Sequence, residues 1–138
     1  MKIEELKIID MLRGFKKNIQ PSEYEYNRFD AEDSKNIYEI KVRSKYFENT
    51  FIEFDKYSYN TMYAQEFDKI FIYVVKMENT IYLFNVSRLY MRGYNFKWQI
   101  KYLNRQTEFK QPWSPTDNIQ KIVGSINTEE AIFTIDCS

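Results

Sequence analysis

The stretch that decides the fold is Ile37-Tyr38-Glu39-Ile40-Lys41-Val42-Arg43, in which apolar and charged side chains alternate from Tyr38 onward. A β-strand points successive side chains to opposite faces, so Tyr38, Ile40 and Val42 share one face and Glu39, Lys41 and Arg43 share the other. We therefore predict a strand over Ile37–Arg43 whose apolar face packs in the core.

Two apolar segments further along the chain predict the centre of the sheet. Lys69–Met77 and Ile81–Val86 are apolar on both faces, and the polar Glu78–Thr80 connects them. A strand that is apolar on both faces is typical of a sheet covered on both sides, so we expect a buried hairpin.

Two segments have helical signals. Apolar residues at three-residue steps predict a helix over Glu4–Lys17. After a loop at Lys45–Thr50, the segment Phe51–Phe67 lacks Gly and Pro, and Thr50 and Glu53 suit an N-cap and a capping box. The expected buried side chains are Ile3, Leu6, Ile9, Leu12 and Phe15 on the first helix, and Phe51, Phe54, Tyr57 or Ser58, Thr61 and Met62 on the second.

The remaining segments have weaker signals. Alternation over Tyr24–Phe29 predicts a strand that runs into Asp30, and the polar Asp30–Asn36 predicts a turn. Phe96–Tyr102 alternates as an edge strand would, Pro112–Pro115 bounds a loop around Trp113, and Ala131–Ile135 is either a strand or a short helix started by Thr128.

Composition narrows the chemistry. The chain has 138 residues, which suits a single domain over 1–138, and 20 basic against 20 acidic residues, so it is not globally basic. Histidine is absent, which excludes histidine bases and histidine-ligated zinc, and the lone Cys137 favours a reducing compartment.

The longest apolar run, Ile70–Val75, is too short to cross a bilayer, so we expect a cytoplasmic protein with no membrane partner. The frequent Lys, Asn, Ile and Tyr suggest an AT-rich genome such as that of a phage.

The charged strip has a chemical use. Glu39 and Lys41 lie on one face about 6 to 7 Å apart along the strand. Asp30 and Glu39 could hold Mg²⁺ (or Mn²⁺) from adjacent strands, since hard cations prefer carboxylate oxygens. Lys41 beside them could orient an attacking water and stabilise charge on a phosphate.

These residues resemble the PD-(D/E)xK nuclease superfamily, which includes restriction endonucleases and Holliday-junction resolvases. The matching parts are Asp30, the Tyr38–Arg43 strand, the segment Phe51–Tyr57 and the hairpin, and the resemblance covers about Lys2–Leu89. It implies an α/β (α+β) fold with a restriction-endonuclease-like core, an N-terminal helix and a mixed β-sheet flanked by helices. It also implies Asp30 and Glu39 as metal ligands, Lys41 as the catalytic lysine, and Lys56 as an additional polar residue facing the site.

The chain departs from the family pattern at one position, because Phe29 rather than proline precedes Asp30. Asp33 or Glu32 is an alternative first carboxylate if the strand ends later. An E-x-K tripeptide alone is a weak signal. The competing interpretation of Glu39, Lys41 and Arg43 is a solvated face of an edge strand, with the aspartates as turn residues.

A candidate nucleic-acid surface follows the motif strand. Basic side chains can neutralise phosphates, and exposed aromatic rings can stack on unpaired bases; the alternative is an edge strand whose aromatic residues belong to the core. The basic residues are Arg43, Lys45, Arg88, Arg92, Lys97, Lys101, Arg105 and Lys110, and the interleaved aromatic residues are Tyr90, Tyr94, Phe96, Trp98 and Tyr102.

The sequence therefore predicts a Mg²⁺-dependent nuclease that hydrolyses phosphodiester bonds in DNA. Arg43, Lys45, Lys56 and Tyr57 are its expected substrate-binding residues, and a double-strand cutter would need a homodimer. The alternatives are a non-catalytic nucleic-acid-binding or virion component that retains the fold, and a phage–host protein-interaction domain that uses its aromatic surface.

Overall fold

The computed structural model describes residues 2–16, 18–22, 28–104 and 118–138. Within them the chain forms, in order, α1 (Ile3–Leu12), β1 (Gln20–Pro21), β2 (Ala31–Glu32), β3 (Asn36–Arg43), β4 (Asn49–Glu53), α2 (Phe54–Glu66), β5 (Ile70–Met77), β6 (Thr80–Asn85), α3 (Val86–Met91), β7 (Gln99–Asn104), β8 (Asn118–Asn127), a 3-10 turn (Thr128–Glu130) and β9 (Phe133–Asp136). None of the helices in these ranges has the length and apolar character needed to cross a membrane.

The first sheet is mixed, with strand order β1-β2-β3-β5-β6-β9. β3 and β5 are parallel in register from Asn36 opposite Ile70 to Arg43 opposite Met77, whereas the other pairs are antiparallel. A parallel pair needs a crossover connection, and here β4 and α2 supply it. The predicted α+β class with a mixed sheet and flanking helices is confirmed. The more specific prediction of a restriction-endonuclease-like core stays a prediction.

The second sheet is antiparallel, with order β4-β8-β7. β8 joins β4 through pairs such as Ile52 opposite Gly124, and joins β7 through pairs such as Lys101 opposite Lys121. Gly124 is required here by packing, because a Cβ at this position would lie 2.8 Å from Cε3 and Cζ3 of Trp98.

Buried side chains form two clusters, one on each face of the first sheet. α1 covers one face with Ile8, Ile9 and Leu12. The other face packs with α2, α3 and the second sheet around fully buried residues such as Phe71 and Phe84. The strand pair β5–β6 therefore lies in a sheet covered on both sides, as its apolar sequence predicts.

The first helix is shorter than predicted, and its buried face matches the prediction at Ile9 and Leu12 but not at Leu6. It ends at Leu12, whereas the spacing predicted Lys17. Ile3 is 72% exposed and Phe15 is also exposed, while Ile8 is buried. The three-residue steps predicted only part of the buried face, because a helix repeats every 3.6 residues and residues spaced at three drift around its axis.

The second helix begins three residues later than predicted. Asn49–Glu53 pairs with β8 as strand β4, so Thr50 is not an N-cap and Glu53 occupies that position without a capping hydrogen bond from its side chain. The buried residues of α2 are Asn60, Thr61 and Ala64, whereas Met62 is 67% exposed. Long-range strand pairing here outweighs a local capping signal.

The other segment predictions differ in outcome. The strand over Ile37–Arg43 is confirmed and gains Asn36, although the exposed Val42 does not join the core. Within the predicted turn Asp30–Asn36 the chain forms the short strand β2. Phe96 is buried and precedes the edge strand β7, and the last apolar segment is strand β9 after a helical turn at Thr128. The predictions for residues 23–27, for the loop around Trp113 and for Arg105 and Lys110 lie outside the described residues.

Candidate active site

Asp30 lies at the exposed edge of β3, just before β2 begins. β2 pairs with β3 only as far as Ala31 opposite Tyr38, and the same register extended by one residue sets Asp30 against Glu39. The Asp30 N–H donates to the Tyr38 carbonyl at 2.7 Å, and Asp30 Oδ2 accepts from the Ile40 N–H at 2.8 Å. The carboxylate thus satisfies a backbone N–H that β2 leaves unpaired.

The backbone around Asp30 is fixed by side chains that the sequence analysis missed. Asn60 Nδ2 donates to the Arg28 carbonyl at 3.0 Å, and Ser22 Oγ donates to the Phe29 carbonyl at 2.7 Å. Asn60 is fully buried on α2, four residues after Lys56. The only sequence signal was this helical spacing, which places a buried amide on the same stripe as Lys56.

Glu39 is a buried acid, with 3% of its surface exposed. Burial raises its pKa to about 8, the negative charge of Asp30 acts in the same direction, and the charges of Lys56 and Lys41 lower it. The Lys56 ammonium on α2 lies 3.6 Å from Glu39 Oε2. Two carboxyl groups and two lysines thus act on one another at the middle of β3.

The two carboxyl groups fit a hard divalent cation. Buried Glu39 Oε2 accepts no hydrogen bond from any residue that the structure describes, and one oxygen of Asp30 remains after the other has bonded Ile40. Mg²⁺ is commonly held by one or two carboxylates and keeps several waters. No cluster of three or more His, Cys, Asp or Glu residues occurs in the described ranges, so the remaining ligands would be water and substrate oxygens.

Asp33, the alternative first carboxylate, holds the turn before β3 instead. Its Oδ1 accepts from the N–H groups of Lys35 and Asn36, both at 2.8 Å, and its Oδ2 accepts from the Tyr38 hydroxyl at 2.6 Å. Burial tends to raise the pKa of Asp33, but these hydrogen bonds outweigh it and leave the pKa below its ordinary value. Glu32, the other alternative, lies 3.6 Å from Lys69.

Lys41 and Arg43 line a cleft of about 320 Å³ between the carboxyl end of β3 and the second sheet. Phe51 and Glu53 of β4 line its other wall. Tyr73 of β5 also lines it, and its buried hydroxyl donates to the Phe51 carbonyl at 2.7 Å, which links the two sheets. The charged strip of β3 therefore leads from the carboxyl pair into an open cleft.

Two predicted substrate-binding residues lie elsewhere. Lys45 is exposed in the loop after β3 and does not line the cleft. Tyr57 packs in an aromatic cluster, with its ring centroid 4.9 Å from those of both Phe96 and Trp98. The structure thus brings together Asp30, Glu39, Lys41 and Lys56. It puts Arg43 further along β3, in the cleft with Lys41, and it packs Tyr57 in the aromatic cluster. Phe96 is buried, as the competing interpretation predicts.

Comparison with known proteins adds no family to this geometry. No protein-family model matches the chain, and no curated protein matches it significantly. The functional argument therefore depends on the arrangement of these side chains.

Proposed function

We propose that this protein is a Mg²⁺-dependent nuclease of the PD-(D/E)xK type that hydrolyses phosphodiester bonds in DNA. The observation that carries the proposal is the buried Glu39 next to Asp30, with Lys41 and Lys56 beside them and with Glu39 Oε2 lacking a hydrogen-bond donor among the described residues. Buried acids need compensating charge, and Lys56 supplies part of it; the same oxygen, which accepts no hydrogen bond from the described residues, also suits a divalent cation.

Each residue has a role in hydrolysis. Asp30 and Glu39 would hold Mg²⁺, which when bound polarises the scissile phosphate and makes a nearby water more acidic. Lys41 orients the water that attacks phosphorus and stabilises the developing negative charge. Lys56 favours the charged form of Glu39, and Arg43 binds a phosphate oxygen. The bond between the water oxygen and phosphorus forms as the opposite phosphorus–oxygen bond breaks. The attacking water gives up a proton to bulk solvent, and the leaving oxygen takes one up from it.

Cleavage assays test the proposal. Purified protein is incubated in Mg²⁺, Mn²⁺ or EDTA with single-stranded, duplex and branched DNA, alongside Glu39→Ala and Lys41→Ala. We expect cleavage with either metal and none with EDTA, and a loss of at least 10²-fold in both variants, since removing one charge-stabilising group costs about 10²–10³ in rate. Circular dichroism checks that both variants fold, and Lys7→Ala on α1 is the matched control. Lack of cleavage of every substrate would overturn the proposal.

One observation favours a second candidate, a non-catalytic nucleic-acid-binding domain. The Lys56 ammonium, 3.6 Å from Glu39 Oε2, already compensates part of the charge that a metal would neutralise. Thermal unfolding with added Mg²⁺ separates the two, because a ligand that binds only the folded state raises Tm. A Tm increase that Asp30→Asn and Glu39→Gln remove supports the nuclease, and an unchanged Tm supports the binding domain.

A further inference from the structure

The second sheet forms one wall of the cleft beside the carboxyl pair, and the sequence of β3 does not predict this wall. The face of the second sheet that carries Phe51, Glu53, Val123 and Lys101 lies opposite Lys41 and Arg43. Pairing in register also puts Lys121 on this face, directly across from Lys101. Residues of both sheets therefore line the cleft.

Positive charge dominates this face and the cleft. Lys41, Arg43 and Lys101 line the cleft against the single acid Glu53, and none of the three forms an ion pair with any residue in the described ranges. Lys101 and Lys121 are directly opposite each other on neighbouring strands, an arrangement in which like charges generally cost free energy. An anion bound between the two lysines would offset that cost.

Aromatic rings accompany the cations. Phe47 lines the cleft and is 46% exposed, and the Lys101 ammonium lies 4.1 Å from the centroid of the Phe51 ring. A groove with cations for the backbone and aromatic faces for bases is typical of single-strand binding. A duplex stacks its bases on one another and offers only their edges, so it cannot use an aromatic face in this way.

We infer that the cleft binds one unpaired DNA strand, with Lys101 and Lys121 contacting phosphates and Phe47 stacking on a base. This inference rests on the proposed function and names its substrate class. Lys41 belongs both to the cleft and to the surroundings of Glu39, so a strand lying in the cleft would pass the carboxyl pair. The preferred substrate is then single-stranded DNA or the unpaired arm of a branched molecule.

The test measures binding without cleavage. Fluorescence anisotropy in EDTA gives the affinity of the full chain for a labelled oligothymidine and for a duplex of equal length at several salt concentrations. We expect at least tenfold preference for the single strand. Lys101→Ala and Lys121→Ala should each reduce the slope of log affinity against log salt by about 0.7, the value for one phosphate contact on a single strand. Lys7→Ala on α1, an exposed lysine outside the cleft, should keep the wild-type slope.

A further variant, Phe47→Leu, separates base stacking from charge. Phe47→Leu keeps an apolar side chain and should weaken single-strand binding several-fold without changing the salt slope. Equal affinity for duplex and single strand, or wild-type slopes in both lysine variants, would overturn the inference even if the enzyme cleaves DNA. The expected binding with no cleavage in Mg²⁺ would support the inference and count against the nuclease.

Discussion

The Lys56 ammonium on α2 lies 3.6 Å from Oε2 of Glu39, a carboxyl group that β3 buries almost completely. The cation thus comes from the crossover helix, and the neighbouring acid Asp30 comes from the segment before β2. Burial and the negative charge of Asp30 outweigh the two lysines and raise the pKa of Glu39 to about 8, so Glu39 retains a proton near neutral pH. A divalent cation would release that proton.

Stability should fall as pH rises because of Glu39. Its pKa is about 8 in the folded chain against an ordinary value of 4.5, so between these values the folded state binds more protons than the unfolded state. The contribution of protonated Glu39 to the free energy of unfolding is complete below pH 4.5 and is lost as pH rises through 8. Glu39→Gln lacks this loss, so its stability relative to wild type should increase by a few kcal/mol from pH 5 to pH 9, since one pKa unit is worth about 1.4 kcal/mol.

Urea unfolding of both proteins in metal-free buffer at pH 5, 7 and 9 measures this difference. Because the two chains share every other titrating group, the difference in their free energies of unfolding isolates Glu39. A constant difference across the three pH values would show that Glu39 is charged throughout.

Lys56→Met should raise the pKa of Glu39 further. The charge of Lys56 lowers that pKa, and methionine has similar length without charge. Carbon-13 NMR of the glutamate side-chain carboxyl groups gives the midpoint directly. Lys7→Met on α1 is the control and should leave the Glu39 midpoint where it is in wild type. An unchanged midpoint in Lys56→Met would mean that the 3.6 Å contact does not influence the acid.

Asp33→Ala should destabilise the fold rather than remove a metal ligand. It deletes the acceptor for the Lys35 and Asn36 N–H groups and for the Tyr38 hydroxyl. The expected cost is about 2 to 4 kcal/mol near neutral pH, since a net hydrogen bond is worth roughly 0.5–1.5 kcal/mol and more when one partner is charged. Because the pKa of Asp33 is lowered in the folded state, this difference should shrink as acid protonates the carboxylate.

Urea unfolding at neutral and at acid pH measures this cost, and metal binding by the variant discriminates its role. Asp33→Ala should keep the increase in Tm on addition of Mg²⁺, whereas Asp30→Ala should lose it. The reverse pattern would make Asp33 the first carboxylate.

Sequence patterns correctly predicted those strands of the fold that local periodicity specifies. The alternation in Tyr38–Arg43 and the apolar runs of β5 and β6 specify strands because a pleated strand repeats every two residues. The predicted start of α2 was wrong because Thr50 pairs with Ile126 of β8, and local sequence does not reveal a partner so far along the chain. For the same reason Lys101 and Lys121 could be counted as basic residues, but their placement on one face could not be predicted.

The candidate site shows the same division. Asp30, Glu39, Lys41 and Lys56 could be named from their spacing and from a family resemblance. Asn60 could not be named in this way, because its role is to donate a hydrogen bond to the Arg28 carbonyl, which only the folded chain brings within 3.0 Å.

Asn60→Ala should therefore weaken the site as well as the fold. Loss of the Asn60 amide leaves the Arg28 carbonyl without its donor, two residues before Asp30. We expect a loss of about 1–3 kcal/mol in stability, because a fully buried side chain is truncated and its hydrogen bond is lost. We also expect a several-fold weaker Mg²⁺ affinity by isothermal titration calorimetry. Asp33→Ala serves as the comparison, because it should destabilise the chain to a similar degree without weakening Mg²⁺ binding; equal affinities in the two variants would limit Asn60 to a structural role.

Gly124→Ala should disturb the contact between the second sheet and the aromatic cluster. The new Cβ would lie 2.8 Å from two ring carbons of Trp98 and 2.9 Å from Cβ of Phe96, closer than nonbonded carbon atoms approach. The indole would have to move away from Tyr57, whose ring centroid is 4.9 Å from its own. Overpacking of this kind costs about 1–3 kcal/mol, so the urea midpoint should fall and Trp98 fluorescence should shift to longer wavelength. Ser125→Ala, on the adjacent position of β8, removes a single contact of 3.5 Å to the Phe96 carbonyl and should change both readouts much less. Equal effects of the two substitutions would show that the indole has room to give way.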